Sequence, residues 1–303
     1  LATERELNKR IRSIRNISQV TSALAAVSAA KASKAQHQVI ATRAYAGKAF
    51  EILINLASQP GVDGNNAHPL LTSRSEIKNS ALILITGDRG LAGAYNANIV
   101  AQAEQFIQAI PTPVEVIAVG RKGQDLMIRR GYNCTATFEG IPDEPSLLDI
   151  SPIARVAIDD FLQGKVDDVF IAYTDFISLV NRVPSVKQLL PLKPLDLEAM
   201  AVSEYVEHVD TAGATELVYD YEPGPAVLLN TIVPRFTELQ IYQSILEAKA
   251  SEHSARMVAM NNATDNAAEL IDYLILERNK ARQTSITSEI LDIVGGAEAL
   301  AKA

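Results

Sequence analysis

The sequence predicts an α/β fold in which two long helices, one at each end of the chain, pair as an antiparallel coiled coil around an inserted α/β domain. Two observations predict the helices. No Gly precedes Gly47 and no Pro precedes Pro60, and neither residue occurs between Pro234 and Gly295. Helices average about 11–12 residues; at about 1.5 Å per residue, stretches this long run roughly 80–90 Å, too far to lie within one globular core. The apolar spacing agrees. A third observation predicts the domain: between these stretches, apolar runs of strand length alternate with helical segments across short connections. That alternation gives a Rossmann-like layer with a largely parallel sheet.

The first helix occupies residues 1–58. Leu7, Ile11, Ile14, Ile17, Val20, Leu24 and Val27 step by threes and fours, the seam pattern of a coiled coil. Between Ser22 and Gln36 roughly every second residue is Ala. Alanine is a good helix former, and small side chains also let two helices approach closely. Residues 59–222 form the α/β domain. Strands are expected at Ala81–Thr86, Val114–Val119, Asn133–Phe138, Asp168–Tyr173 and Val186–Leu192. Helices are expected at Tyr95–Ala109, Arg121–Arg130 and Pro152–Leu162, and residues 193–222 read as an edge strand with loops. The last helix falls within 223–303, with a seam at Leu239, Tyr242, Leu246, His253, Met257, Met260, Ala267, Ile271 and Leu274. An antiparallel pairing of the two terminal helices satisfies both seams within one chain.

Charge is unevenly placed. Residues 1–58 hold nine Lys/Arg against three Asp/Glu, whereas 59–234 hold twelve against twenty-three. The basic first arm suits an acidic protein surface, an anionic lipid or a nucleic acid. The acidic middle disfavours nucleic acid as the partner of the whole chain. Cys134 is the only cysteine, so no internal disulfide, CxxC pair or cysteine zinc site forms. No apolar run approaches the roughly 18 residues needed to span a bilayer, and the chain opens on charge rather than on the apolar core of a signal peptide.

Catalytic motifs are missing. There is no GxxxxGK[ST] phosphate loop. Gly87, Gly90 and Gly93 follow a strand and precede a helix, but their spacing is GxxGxxG rather than the dinucleotide GxGxxG, and Asp88 and Arg89 crowd the turn. A glycine-shaped turn that packs against another subunit fits this segment better. His37, His68, His208 and His253 are scattered, with no HxxxH or HExxH pair. The run Arg5, Lys9, Arg10, Arg12 and Arg15 is either a solvated face or a basic stripe toward an acidic partner. No catalytic, cofactor or metal residue is assigned.

The most specific segments lie near the C-terminus: Ala255-Arg256-Met257-Val258-Ala259-Met260, Ala263-Thr264-Asp265-Asn266-Ala267, Asn279-Lys280-Ala281-Arg282-Gln283, Ile286-Thr287-Ser288-Glu289-Ile290 and Ile293-Val294-Gly295-Gly296-Ala297. Together they resemble the signature of the ATP synthase gamma subunit. Ile11–Ile17 through Lys31, Asp88–Asn96, Gln188–Leu192 and Tyr221-Glu222-Pro223 resemble the family's other landmarks in matching order. Two departures stand out: Ala92 takes a position where the family often has Cys, and the first helix has fewer Lys between Gln19 and Lys31.

The resemblance implies a non-catalytic central-stalk rotor of a proton-translocating ATP synthase, carrying torque between the membrane c-ring and the catalytic alpha/beta hexamer. Implied partners are the alpha and beta subunits, the epsilon (or delta) subunit and the c-ring. It implies hexamer contacts at Arg282, Gln283, Lys280, Arg12 and Arg15, and contacts of the foot with the c-ring and epsilon at Asp88, Arg89 and Tyr95. It places the chain peripherally on the ATP-synthesising face of an energy-transducing membrane: the cytoplasmic side of a bacterial plasma membrane, or an organellar inner or thylakoid membrane. With Cys134 alone, the dithiol switch of the plant-chloroplast relatives is not expected. Two competing readings are a dinucleotide-binding oxidoreductase, tested by nicotinamide titration, and a coiled-coil adaptor for nucleic acid, which predicts steeply salt-dependent binding.

Overall fold

The computed structural model describes residues 3–57, 68–192, 222 and 224–301. The element order is α1 (Glu4–Ala57), a short 3-10 turn (Pro69–Leu71), β1 (Ser80–Ile85), α2 (Tyr95–Ala109), β2 (Val114–Val119), α3 (Arg121–Arg129), β3 (Cys134–Phe138), α4 (Leu147–Leu162), β4 (Asp168–Phe176), β5 (Arg182–Leu190) and α5 (Pro225–Ala301). The chain divides into two compact units, Ser28–Arg256 and Leu1–Val27 with Met257–Ala303.

In the unit Ser28–Arg256 a five-stranded sheet runs in the order β3-β2-β1-β4-β5. The first four strands are parallel and β5 is antiparallel to β4. Every residue of β1 is buried because a parallel sheet is covered on both faces. Ala81, Ile83 and Ile85 point with Ile117, Val169 and Ile171 toward α4, α5 and the last turns of α1, where Phe161, Ile245 and Leu56 pack. Leu82 and Leu84 point the other way, onto Ile99 and Val100 of α2 and Met127 of α3. The edge strand expected within 193–222 lies outside the described residues, apart from Glu222.

Several boundaries differ from expectation, β4 for instance running on to Phe176, and three prolines are accommodated for physical reasons. Helix α4 begins at Leu147, a turn before Pro152. The Asp149 carboxylate accepts from both the amide and the hydroxyl of Ser146, closing the first turn and outweighing the backbone bond that Pro152 removes. Strand β5 starts at Arg182 and tolerates Pro184 because, among the described residues, it is an edge strand. Helix α5 passes through Pro234, where buried Val233 and Phe236 supply packing that offsets one lost hydrogen bond.

In the other unit, α1 and α5 pack antiparallel. Leu7 and Ile11 meet Leu274, with Ile14, Ile271 and Ile275 beside them. Further along, the Thr21 and Thr264 hydroxyls bond at 2.7 Å. The seam on α1 is Leu7, Ile11, Ile14, Ser18, Thr21 and Ala25, a strict repeat of four and three. Ile17, Val20 and Val27, expected on the seam, are exposed. Small and polar residues hold the seam positions there, and the bulky side chains sit one step outside it. On α5 the expected residues hold: Met260, Ala267 and Leu274 are buried, and Met257 and Ile271 half-buried.

Candidate functional site

The basic and polar residues singled out from sequence fall into two groups. Arg12 and Arg15 are exposed on α1, and with Arg5, Lys9 and Arg278 they line one open groove. Among the described residues neither has an ion-pair partner. Lys280, Arg282 and Gln283 are exposed on α5. Lys280 reaches Glu277 one turn back at 3.3 Å, a solvent-exposed pair of small worth. Lys280 and Gln283 line a shallow groove with Thr284, Thr287, Ser288 and Leu291.

What sets this stretch apart is the loss of its helical partner. The α1–α5 contact ends near Ala281, where α1 reaches its first turn. From Arg282 to Gly295 every residue of α5 is exposed, including Ile286, Ile290, Leu291, Ile293 and Val294. Contiguous apolar surface of this kind marks an interaction site.

The second group surrounds the turn after β1. Asp88 serves the fold: its two oxygens accept from the amides of Arg121 and Gly140 at 3.0 Å each. Arg89 is exposed. Tyr95 does not present itself to a partner, since it is buried and its hydroxyl donates to the Ala248 carbonyl of α5 at 3.0 Å. Burial pushes its phenol well up from the ordinary value, as does nearby Glu252.

The same turn bears on the dinucleotide reading. Ligands of open α/β sheets sit beyond the carboxyl ends of the strands, where the strand order reverses. Here α5 occupies that place. A Cβ on Gly87 would lie 2.7 Å from the Glu252 carboxylate, and one on Gly120 (φ 99°) would lie 2.3 Å from the Thr86 carbonyl. The space left among Thr86, Asp88, Tyr95, Lys249 and Glu252 is about 10 Å³, room for about one water. An anionic side chain fixed at the phosphate position also repels a pyrophosphate. Among the described residues no three His, Cys, Asp or Glu side chains gather as a metal site.

Sequence reasoning missed a buried polar network within the unit Ser28–Arg256. Arg43 of α1 donates twice to Glu247 of α5, at 3.2 and 3.1 Å, and once to the Phe176 carbonyl at the end of β4. Ser251 donates to the Thr174 carbonyl at 3.1 Å, and the Ser254 hydroxyl donates to the Leu179 carbonyl and accepts from Arg182. Beside them Lys187 bonds Asp175 and the Tyr173 hydroxyl. Burial raises the Glu247 carboxyl, against the pull of Arg43. Glu247, Ser251 and Ser254 do share one helical face, but Gln243, Ser244, Lys249, Glu252 and His253 lie among them, so the spacing does not single them out.

A second set holds the loop after β3. Lys31 pairs with Asp143 at 2.7 Å and Lys34 with Glu144 at 2.6 Å. Lys249 donates to the Ile141 carbonyl, and buried His253 lies 3.2 Å from Asp143. Burial alone would raise Asp143, but the bond from Lys31 and the charges of His253 and Lys249 hold it low.

Comparison with known proteins gives a consistent result. The family profile described as ATP synthase matches residues 3–300. An ATP synthase gamma chain of Dehalococcoides mccartyi strain CBDB1 is 46% identical over 301 residues, covering 99% of this chain and 100% of its own. That of Moorella thermoacetica is 42% identical over 300 residues, with coverage of 99% and 100%. Among solved structures, a chain from the Euglena gracilis mitochondrial ATP synthase (OSCP, F1 and c-ring, rotational state 3) aligns with a TM-score of 0.65 at 18% identity, over 98% of this chain and 94% of its own. One from the Tetrahymena thermophila mitochondrial enzyme's central stalk and c-ring aligns at 0.57 with 21% identity, over 80% and 99%. These structures share the fold.

Proposed function

The chain belongs to the ATP synthase gamma chain family, and on that premise we propose that it is the rotor of a proton-translocating ATP synthase and carries torque without performing the nucleotide chemistry. The observation that carries this reading is the stretch of α5 from Arg282 to Gly295, exposed throughout and rich in apolar side chains. Such a helix end needs a surrounding partner, and the alpha/beta hexamer supplies one. Arg282 and Gln283 engage a carboxylate or carbonyls of that hexamer, with Lys280, Arg12 and Arg15 facing it as well. The planar guanidinium of Arg282 suits several acceptors at once. Exposed Arg89, on the turn braced by Asp88, faces the c-ring or the epsilon (or delta) subunit. Membrane attachment is peripheral, on the ATP-synthesising face and through the complex; among the described residues no helix is long and apolar enough to cross a bilayer.

The test is rotation-coupled ATP hydrolysis by a complex reconstituted with Arg282→Ala or Gln283→Ala. Loss of charge-assisted hydrogen bonding at Arg282 should cost about 1–3 kcal/mol. It should appear as impaired assembly or coupling, while the isolated chain folds normally. Wild-type behaviour of both variants would move the contact elsewhere along the helices.

A further inference from the structure

A helix that docks on a sheet normally does so through an apolar stripe. On the sheet α5 does the same, through Ile241, Ile245 and Ala248, but its contact with the end of β4 and the turn into β5 is polar. Glu247, Ser251 and Ser254 recur at i, i+4 and i+7, and all three are buried. Each is bonded to a different part of the hairpin or its surroundings. Ser251 bonds the Thr174 carbonyl and Ser254 the Leu179 carbonyl. Arg43, reaching from α1, ties the Glu247 carboxylate to the Phe176 carbonyl. One guanidinium therefore joins α1, α5 and β4. The apolar contacts beside this seam are made by Ala35, Val39, Leu246, Ala250 and Phe176.

Burying charge in this way is not a route to stability. A well-packed hydrophobic replacement of a buried ion pair is often neutral or stabilising. What the polar seam supplies is direction. The hydrophobic driving force has no direction, whereas a hydrogen bond weakens steeply as its angle departs from linear. Three bonded positions over two turns resist both axial slip of α5 and its rotation about its own axis.

We propose that Arg43, Glu247, Ser251 and Ser254 form the joint that transmits torque between the sheet and the helices α1 and α5. The proposal rests on the rotor reading and deepens it. These are positioning residues. Under load the joint keeps helix and sheet turning as one body; without it the helix creeps on the hairpin and part of each step is lost.

The experiment uses the full complex in sealed vesicles, with this chain wild type, Arg43→Met/Glu247→Leu, or Ser251→Ala/Ser254→Ala. ATP-driven proton pumping per ATP hydrolysed is measured with no opposing gradient and against an imposed one. The apolar double replacement keeps the volume filled, so assembly and unloaded hydrolysis should stay close to wild type; the melting temperature of the isolated chain should fall modestly, because the Phe176 carbonyl loses its donor. Pumping against the gradient should fall severalfold, more than pumping without it. A merely structural defect would lower both alike, by reducing the assembled fraction. If both variants pump against the gradient as wild type does, the joint is not here. If the apolar replacement fails to assemble, the serine pair carries the same expectation, and wild-type pumping under load by that variant overturns the proposal. Failure of the wild-type chain to support coupled pumping would instead sink the rotor reading itself.

Discussion

At the scale of single residues, the sharpest electrostatic expectation concerns Asp167. Its carboxylate accepts from the amides of Lys78 and Asn79 at 2.6 and 3.1 Å and from Arg74 at 2.7 Å. The Lys78 amide, with the Asn79 amide and the Arg74 guanidinium, outweighs burial and holds the carboxyl below its ordinary 3.8. The folded form therefore binds a proton less readily than the unfolded one. The stability it contributes is fully present above pH 3.8 and is lost as pH falls through the lowered folded value. Asp167→Asn should cost about 1–3 kcal/mol at neutral pH, since Arg74 loses its counter-charge. It should also flatten the melting temperature against pH on the acid side. A variant with an unchanged acid limb would show that Asp167 is not held low. Tyr95 shows where reading residues from sequence fails. The family resemblance implied a partner contact there, yet the three-dimensional course of α5 brings Ala248 over it.

At the scale of elements, most of the fold was legible. β1 reveals itself by an unbroken apolar run, β2 by one broken only at Glu115, and α1 and α5 by their long stretches without breakers. The seam of α1 was read correctly at Leu7, Ile11 and Ile14 and wrongly at Ile17, Val20 and Val27. Hydrophobicity is the wrong guide once two helices approach closely. The positions between them then take Thr21, Ala25 and Ser28, with the larger side chains displaced outward. The Thr21–Thr264 bond gives this region a polar register pin. Thr21→Val or Thr264→Val alone should destabilise by about 0.5–1.5 kcal/mol, by removing the bond between the helices, while the remaining hydroxyl keeps the Ser18 or Met260 carbonyl of its own helix. The double replacement should cost less than the sum of the two, since it removes both hydroxyls together. Denaturant melts of the four chains decide this; strict additivity would mean that the hydroxyls do not couple. The Arg43–Glu247 network was not legible because no local rule says that residues 204 positions apart will meet.

At the scale of the whole molecule, the question is what the chain leaves unfinished. A helix needs tertiary packing more than propensity, and an isolated helix shorter than about 12–15 residues is marginal in water. The C-terminal stretch of α5 has no packing partner among the described residues, for every residue from Arg282 to Gly295 is exposed. It contains Gly295 and Gly296, each costing about 1 kcal/mol relative to alanine in a helix interior. Its side chains therefore do little for the fold and much for whatever surrounds it. A chain ending at Ala281 should keep its melting free energy within about 0.5 kcal/mol of the full chain, as surface changes usually do. The Leu7–Ile11–Leu274 cluster remains intact in it. In the isolated full chain, amides after Arg282 should exchange far faster than those around Leu274, and they should become protected once the alpha/beta hexamer is added. The truncated chain should then assemble poorly or turn over with weakened coupling. A large loss of stability on truncation would show that the tail packs on its own chain. Unchanged exchange on adding the hexamer would show that the hexamer does not enclose this end.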